Sequence, residues 1–267
     1  MSQKKQRLDV RLAEEGHCPS REKAKAAIMA GLVFVDGERS DKPGTLVKPE
    51  SSIEVRGSSL VYVSRGGLKL EKAIKVFNLD LKNRVILDVG ASTGGFTDCA
   101  LRQGARLLYA VDVGYGQLAW QLRNDPRVVV LERKNIRYLT KEYLPETPDF
   151  ATIDVSFISL SKVLPRVGEL ITAEAEGVAL VKPQFEAGRE RVGKKGVVRA
   201  PAVHIDVLNE VVGLVAKLGW QVGGLDYSPV TGPEGNIEFL LYFKKTGTQA
   251  DFNIIDTVTK AHADFGL

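Results

Sequence analysis

Val85-Ile86-Leu87-Asp88-Val89-Gly90-Ala91-Ser92-Thr93-Gly94-Gly95-Phe96-Thr97 decides how the rest of the chain is read. A β-branched apolar run ends in an acid, passes through small residues and resumes with helical character. That order describes a buried parallel strand feeding a glycine turn, the place where α/β sheets hold nucleotides. A dinucleotide fold asks for G-x-G-x-x-G, so that bare backbone reaches a diphosphate at a helix N-terminus. The spacing here is G-x-x-x-G-G, and an acid precedes the loop. S-adenosylmethionine has no phosphate and carries a cationic sulfonium, so a tight loop beside a carboxylate suits it. The stretch favours methyl transfer over hydride transfer.

Further elements follow in alternation. A helix through Ala73, Ile74 and Phe77 precedes the loop, and another runs from near Phe96 to Gly104. Leu107–Asp112 is a second buried strand whose terminal acid lies about twenty residues past the loop, placed to accept a ribose diol. Val128–Leu131 is a third, and the loop after it offers Asn135 and Ile136 as an amide and an apolar wall for an adenine. Phe150–Asp154 and Gly177–Pro183 supply the fourth and fifth. Pro201–Leu218 predicts a helix with Val203, Val207, Val211, Val215 and Leu218 inward. Gln221–Tyr227 and Asn236–Phe243 close the sheet as an antiparallel pair. The pattern predicts an α/β, Rossmann-like doubly wound sheet with functional residues at strand C-termini.

The front of the chain differs. Met1–Lys25 holds Lys4, Lys5, Arg7, Arg11, Arg21, Lys23 and Lys25 against four acids, although the whole chain carries only +4. A basic end on a near-neutral body points to a polyanion such as nucleic acid. Residues 7–15 predict a helix with Leu8 and Leu12 buried. Ser20 is an N-cap for Arg21–Ala30 and Gly31 its stop, with Ala24, Ala27 and Ile28 as an apolar stripe. Val33 and Val35 alternate into an Asp36-Gly37 hairpin turn. The expected division is 1–57, a small α+β RNA-binding domain; 58–63, a linker; 64–245, the α/β domain; and 246–267, a polar, loosely attached tail.

Cys18 and Cys99 fit neither a metal-ligand spacing nor a disulfide framework, so free thiols in a reducing compartment are expected and no metal. No charged N-terminus leads into an apolar core, and no apolar run reaches the about 20 residues that cross a bilayer. A cytoplasmic protein without a membrane partner is expected; the oligomeric state is left open.

Lys182 directly follows Gly-Val-Ala-Leu-Val, where a charged amine is costly to hold without compensation. It either reaches water along its own stem or finds a partner, for which Asp154 on the neighbouring strand is suited. Arg65, Lys194, Lys195 and Arg199 flank this rim as candidates to grip RNA backbone. Gly188–Gly196 reads as a mobile loop that orders on substrate.

The front segment, R-L-D-x-x-L followed by S-R-x-x-A-x-x-x-I-x-x-G-x-V-x-V-D-G, resembles the RNA-binding module named after small-subunit ribosomal protein four. That resemblance implies RNA phosphate contacts for Arg7, Arg11, Arg21 and Lys25. The remainder resembles the FtsJ-like RNA ribose 2′-O-methyltransferases, and the combination is similar to the TlyA family, which also carries a haemolysin label. The family's K-D-K-E tetrad falls on Lys69 in S-R-G-G-L-K, Asp154 in T-I-D-V-S-F, Lys182 in L-V-K-P-Q-F-E and Glu238 in G-N-I-E-F. The resemblance implies S-adenosylmethionine as cofactor, with Asp88, Gly90, Ala91, Ser92, Thr93, Gly94, Gly95, Phe96, Thr97, Asp112, Val113, Asn135, Ile136 and Asp154 around it. It implies ribosomal RNA or a ribosomal subunit as partner and a cytidine ribose as target.

The chemistry asks for these residue types. A 2′-hydroxyl must lose its proton as it attacks the sulfonium methyl, so Lys182 is expected as base, tuned toward its neutral form by burial and by Lys69. Asp154 would orient the amine, and Glu238 would hold Lys69. The competing expectations are a haemolysin-type membrane-active protein, a non-catalytic RNA-binding ribosome-assembly factor and a small-molecule methyltransferase.

Overall fold

The computed structural model describes residues 5–18, 20–55, 62–193, 195–232 and 234–266. The chain divides into two compact units, Met1–Arg65 and Gly66–Leu267. Most of the expected linker at 58–63 lies outside the described residues.

In the first unit β1 (Gln6–Arg7) leads into α1 (Leu8–Glu14), and α2 (Arg21–Met29) follows. Ser20 caps α2 by accepting from the Lys23 N–H, and Gly31 takes a left-handed φ of 70° where the helix ends. β2 (Val33–Val35) turns through Asp36 and Gly37, both at positive φ, into β3 (Glu38–Arg39). That pair of left-handed residues matches the right-handed twist of the flanking strands. β4 (Leu46–Val47) pairs with β1, and β5 (Ile53–Val55) with β2. The helical stripes Leu8/Leu12 and Ala24/Ala27/Ile28 meet Val33 and Val47 in one small core.

The second unit opens with α3 (Gly66–Phe77), β6 (Val85–Val89), α4 (Gly95–Arg102), β7 (Leu107–Val111), α5 (Trp120–Arg123), β8 (Val128–Leu131) and β9 (Phe150–Ile153). It continues with α6 (Leu164–Leu170), β10 (Glu176–Val181), α7 (Pro183–Glu186), α8 (Pro201–Lys217), β11 (Gln221–Tyr227), β12 (Phe239–Lys244) and α9 (Ile254–Phe265). Seven strands form one sheet in the order β11-β12-β10-β9-β6-β7-β8, with β12 antiparallel to both its neighbours. The chain steps from β6 outward to β7 and β8, then returns to place β9 on the other side of β6. At that reversal the connections part, which opens a crevice at the strand C-termini. The inner strands β6, β9 and β10 are buried almost throughout, as their continuous apolar runs require, while in the edge strand β8 only Val128 is buried.

Two expectations fail here. The tail from Thr246 is not loosely attached: Asn253 caps α9, and α9 buries Val258 and Ala261 in the main core. The inward face of α8 is also rotated from the valine stripe, because His204 and Leu208 are fully buried while Val203 and Leu218 are only partly so. The partner of His204 explains the rotation. Its Nδ1 lies 2.9 Å from Nε2 of His262 on α9, and its ring meets Phe239 edge-on. A second polar contact, Tyr227 Oη donating to Asp264, ties α9 to β11.

Burial, reinforced by the neighbouring His262, pushes the His204 imidazole down to about 4. The unfolded chain therefore binds more protons than the folded one between about pH 6.5 and 4, so stability is lost as pH falls through that window. Urea unfolding should show a loss of roughly 3 kcal/mol on going from pH 7 to pH 4 from this group. His204→Gln, which keeps a polar partner for His262, should flatten that dependence.

Candidate active site

The crevice at the β6/β9 reversal has a volume of about 520 Å³. Gly90 forms one edge at φ 85°, a conformation that favours glycine. A Cβ on it would stand 2.4 Å from the backbone oxygen of Asp154, so the glycine lets the ends of β6 and β9 close together. Asp112 forms the opposite wall, where its two carboxylate oxygens accept from the Ser92 and Gly114 N–H groups. Val113, Asn135, Ile136 and Asp154 also line the space, as the sequence suggests.

Seven expected cofactor contacts, Asp88, Ala91, Thr93, Gly94, Gly95, Phe96 and Thr97, do not line the crevice. Asp88 is fully buried beneath the loop, accepting from Thr97 Oγ1 at 2.6 Å and Thr152 Oγ1 at 2.9 Å. It joins α4 to β9 and holds the loop's shape from below. Burial raises its carboxyl to about 6 against the two hydroxyl donors, with Asp154 and Asp112 adding to the rise. Lining residues without a sequence signal include Gln117, Lys134, Arg137 and the turn Val155–Ile158. Phe157 in that turn is 90% exposed and has φ 62°.

Beside Asp154 the four chemistry-bearing side chains come together. Lys69 reaches in from α3, Asp154 and Lys182 follow β9 and β10, and Glu238 precedes β12. Nζ of Lys182 lies 2.6 Å from the Asp154 carboxylate and donates to Ser156 Oγ at 2.9 Å. Nζ of Lys69 donates to Glu238 at 2.6 Å and lies 3.8 Å from Asp154. Lys69, Lys182 and Glu238 are all buried. Burial opposes ionisation of Asp154, but the charges of Lys69 and Lys182 prevail and hold its carboxyl below the ordinary range. The result is an alternating row: carboxylate, ammonium, carboxylate, ammonium.

The basic candidates divide. Lys195 and Arg199 are exposed, while Lys194 lies outside the described residues. Within the loop expected to be mobile, Gly188–Gly196, the described residues are tied at both ends, where Arg191 donates to the Ala187 carbonyl and Gly196 precedes two buried valines. Val197 and Val198 are buried, and Asn236 accepts from the Val198 N–H and donates to the Gly196 carbonyl. Arg65 is half-buried. In the first unit Arg7 and Arg21 both donate to Asp9, with about half of each side chain exposed, and Lys25 is half-buried.

Arg11 is corrected from RNA contact to structural residue. Its guanidinium donates to Glu15, to the Lys48 carbonyl and to the Ser51 carbonyl, which ties α1 to the chain after β4. Arg11→Ala should destabilise this unit by about 2 kcal/mol, because charge-assisted bonds are lost and buried carbonyls stranded. Lys25→Ala should stay within about 0.5 kcal/mol. Hydrogen exchange of the α1 amides would measure both.

Residues 62–245 match the model of the FtsJ-like methyltransferase family, and residues 6–53 match the S4 domain. A Bacillus subtilis relative, named as the rRNA methyltransferase YqxC, is 56% identical over 248 residues, covering 92% of this chain and 88% of the relative. The 16S/23S rRNA (cytidine-2′-O)-methyltransferase TlyA of Mycobacterium tuberculosis is 45% identical, covering 92% and 91%. A solved structure from Streptococcus thermophilus that bears the name hemolysin is 47% identical, covers 98% of both chains and superposes with a TM-score of 0.79. With the β6/β9 crevice, its row of paired charges and these matches together, the chain belongs to the FtsJ-like methyltransferase family and carries an S4 domain at its front.

Proposed function

We propose that the chain is an S-adenosylmethionine-dependent ribosomal RNA 2′-O-methyltransferase acting on a cytidine ribose. The observation that carries this reading is the convergence of Lys69, Lys182 and, through Lys69, Glu238 on Asp154, which itself lines the crevice. Both relatives' names support rRNA as the substrate, and the Mycobacterium tuberculosis name alone supports the cytidine 2′-oxygen.

The residues present fit the cofactor. Asp112 uses one acceptor site on each oxygen internally, which leaves capacity for a ribose diol. Val113 and Ile136 offer apolar walls to an adenine, and Asn135 an amide. The negative charge on Asp154 suits a sulfonium. When bound, the cofactor supplies an electrophilic methyl whose C–S bond breaks as the ribose oxygen attacks.

Asp154 and Ser156 occupy two of the directions around Nζ of Lys182, leaving another for the 2′-hydroxyl. Lys182 first gives a proton to solvent, which leaves the four side chains with one net negative charge, matched to a cationic methyl donor. Lys182 takes the hydroxyl proton as the oxygen becomes nucleophilic, and the ammonium formed is already paired with Asp154. Lys69, fixed by Glu238, steers the same oxygen.

RNA contacts fall to the basic residues of both units: Arg7, Arg21, Lys25 and Arg65 in the first, and Lys194, Lys195 and Arg199 in the sequence of the second. The exposed ring of Phe157 at the crevice offers a face to an unpaired base. Among the described residues no helix is long and apolar enough to cross a membrane. The proposed location is the cytoplasm, where ribosomes are modified.

The reading is tested by incubating the purified chain with labelled methyl donor and ribosomal RNA or subunits from cells lacking the gene. No 2′-O-methyl product would refute it, and liposome leakage by the same preparation would favour the haemolysin name instead. Lys182→Ala should lower kcat by about 10³-fold while leaving cofactor affinity nearly intact. Asp112→Ala should do the reverse, weakening cofactor binding by roughly tenfold or more through lost charge-assisted hydrogen bonds. Gly90→Ala should abolish cofactor binding in a folded protein, since its Cβ has no room against Asp154; calorimetric titration separates these outcomes.

A further inference from the structure

β9 and β10 are parallel neighbours, with Ala179 beside Ile153 near their C-terminal ends. Each strand then delivers one member of the central ion pair, Asp154 or Lys182, and the two chain segments part. They meet again a few residues later. Glu186, the last residue of α7, accepts from Ser159 Oγ at 2.6 Å and from the Leu160 N–H at 2.8 Å. Phe185 beside it lies 5.0 Å, ring to ring, from Phe157. The two segments thus form a closed ring, with the Asp154–Lys182 pair at one junction and Glu186 at the other. Glu186 does not line the crevice.

We propose that Glu186 is a positioning residue: by joining the segment after Asp154 to the segment after Lys182, it fixes the contact between those two side chains. The inference rests on the methyl-transfer reading above. Each oxygen of Glu186 takes one donor, the Ser159 hydroxyl or the Leu160 N–H, and that N–H opens a 3-10 turn with no partner within it. Ser156, the other acceptor for Lys182, lies on the segment so held. Without Glu186 the two strand ends remain, but the side chains beyond them are no longer set by the far junction.

The test uses the full chain, labelled methyl donor and ribosomal RNA from cells lacking the gene, with Glu186→Ala, Glu186→Gln and Ser159→Ala. Glu186→Ala should lower kcat by roughly tenfold to a hundredfold at saturating cofactor and RNA, the scale of a misplaced reacting group. Its cofactor affinity should stay close to that of the unaltered chain. Glu186→Gln keeps an oxygen for the Leu160 N–H and should recover much of the rate. Ser159→Ala should cost less than Glu186→Ala and add little on top of it, because both break one junction.

A folded Glu186→Ala with undiminished kcat overturns the proposal. So does a loss that saturating cofactor restores, which would assign Glu186 to the crevice instead. If Glu186→Ala fails to fold, Ser159→Ala decides, and an undiminished kcat there overturns it equally. Lack of methylation by the unaltered chain would sink the methyl-transfer reading rather than this junction.

Discussion

Asp154 stands between two ammonium groups at the place where the sheet reverses direction. Placing such charges out of water is costly unless each finds an opposite within contact. Here the solution is a row, Glu238–Lys69–Asp154–Lys182, in which each inner member touches two partners. Its members come from α3, from the ends of two parallel strands and from the approach to an antiparallel one. None can be seated until the sheet is assembled, so the site reports on the whole second unit. Removing a member strands a neighbouring buried charge, which is why loss of one is worse than loss of its own contact.

Three aspartates at strand ends look alike in sequence and have three different roles. Asp88 faces two hydroxyls in a sealed space, and burial raises it to about 6. Asp112 faces backbone N–H groups at the crevice wall. Asp154 is held ionised by lysines against the pull of burial. Environment, not residue type, assigns the role. Asp88 shapes the loop from beneath, while Asp112 and Asp154 face the crevice.

What the sequence shows follows the reach of local rules. Strands such as Val85–Val89 and Val128–Leu131 are legible because a continuous apolar run has few other uses. The Ser20 cap and the Asp36-Gly37 turn are legible because backbone conformation demands those residue types. The tetrad is legible through resemblance, since nothing local tells Lys69 from other lysines. The failures all involve pairing across long separations. α9 was hidden because its polar surface masks an apolar stripe of Val258 and Ala261, and because His262 is buried only through His204, 58 residues earlier. Insertion of β12 between β10 and β11 is likewise unmarked, as it needs knowledge of which edge the last strand joins. Glu186 reads as a surface acid until Ser159 and Leu160 are beside it.

The first unit shows why a count of basic residues overstates a nucleic-acid surface. Arg11 is turned inward and serves the fold. Asp9, completely buried, holds Arg7 and Arg21, and the Arg7 hydrogen bond leads the contacts that bring its carboxyl down to about 2 against burial. An acid that stays ionised at any physiological pH is a permanent hinge-pin for two guanidinium planes. Arg21 meets it only through Nε, and Arg7 through one edge of its fork, and about half of each side chain faces solvent. Orientation lowers the entropy to be lost on meeting a phosphate, and planar forks suit that geometry. The one buried carboxylate in this basic helix pair therefore orients two guanidinium groups even as it lowers the net charge.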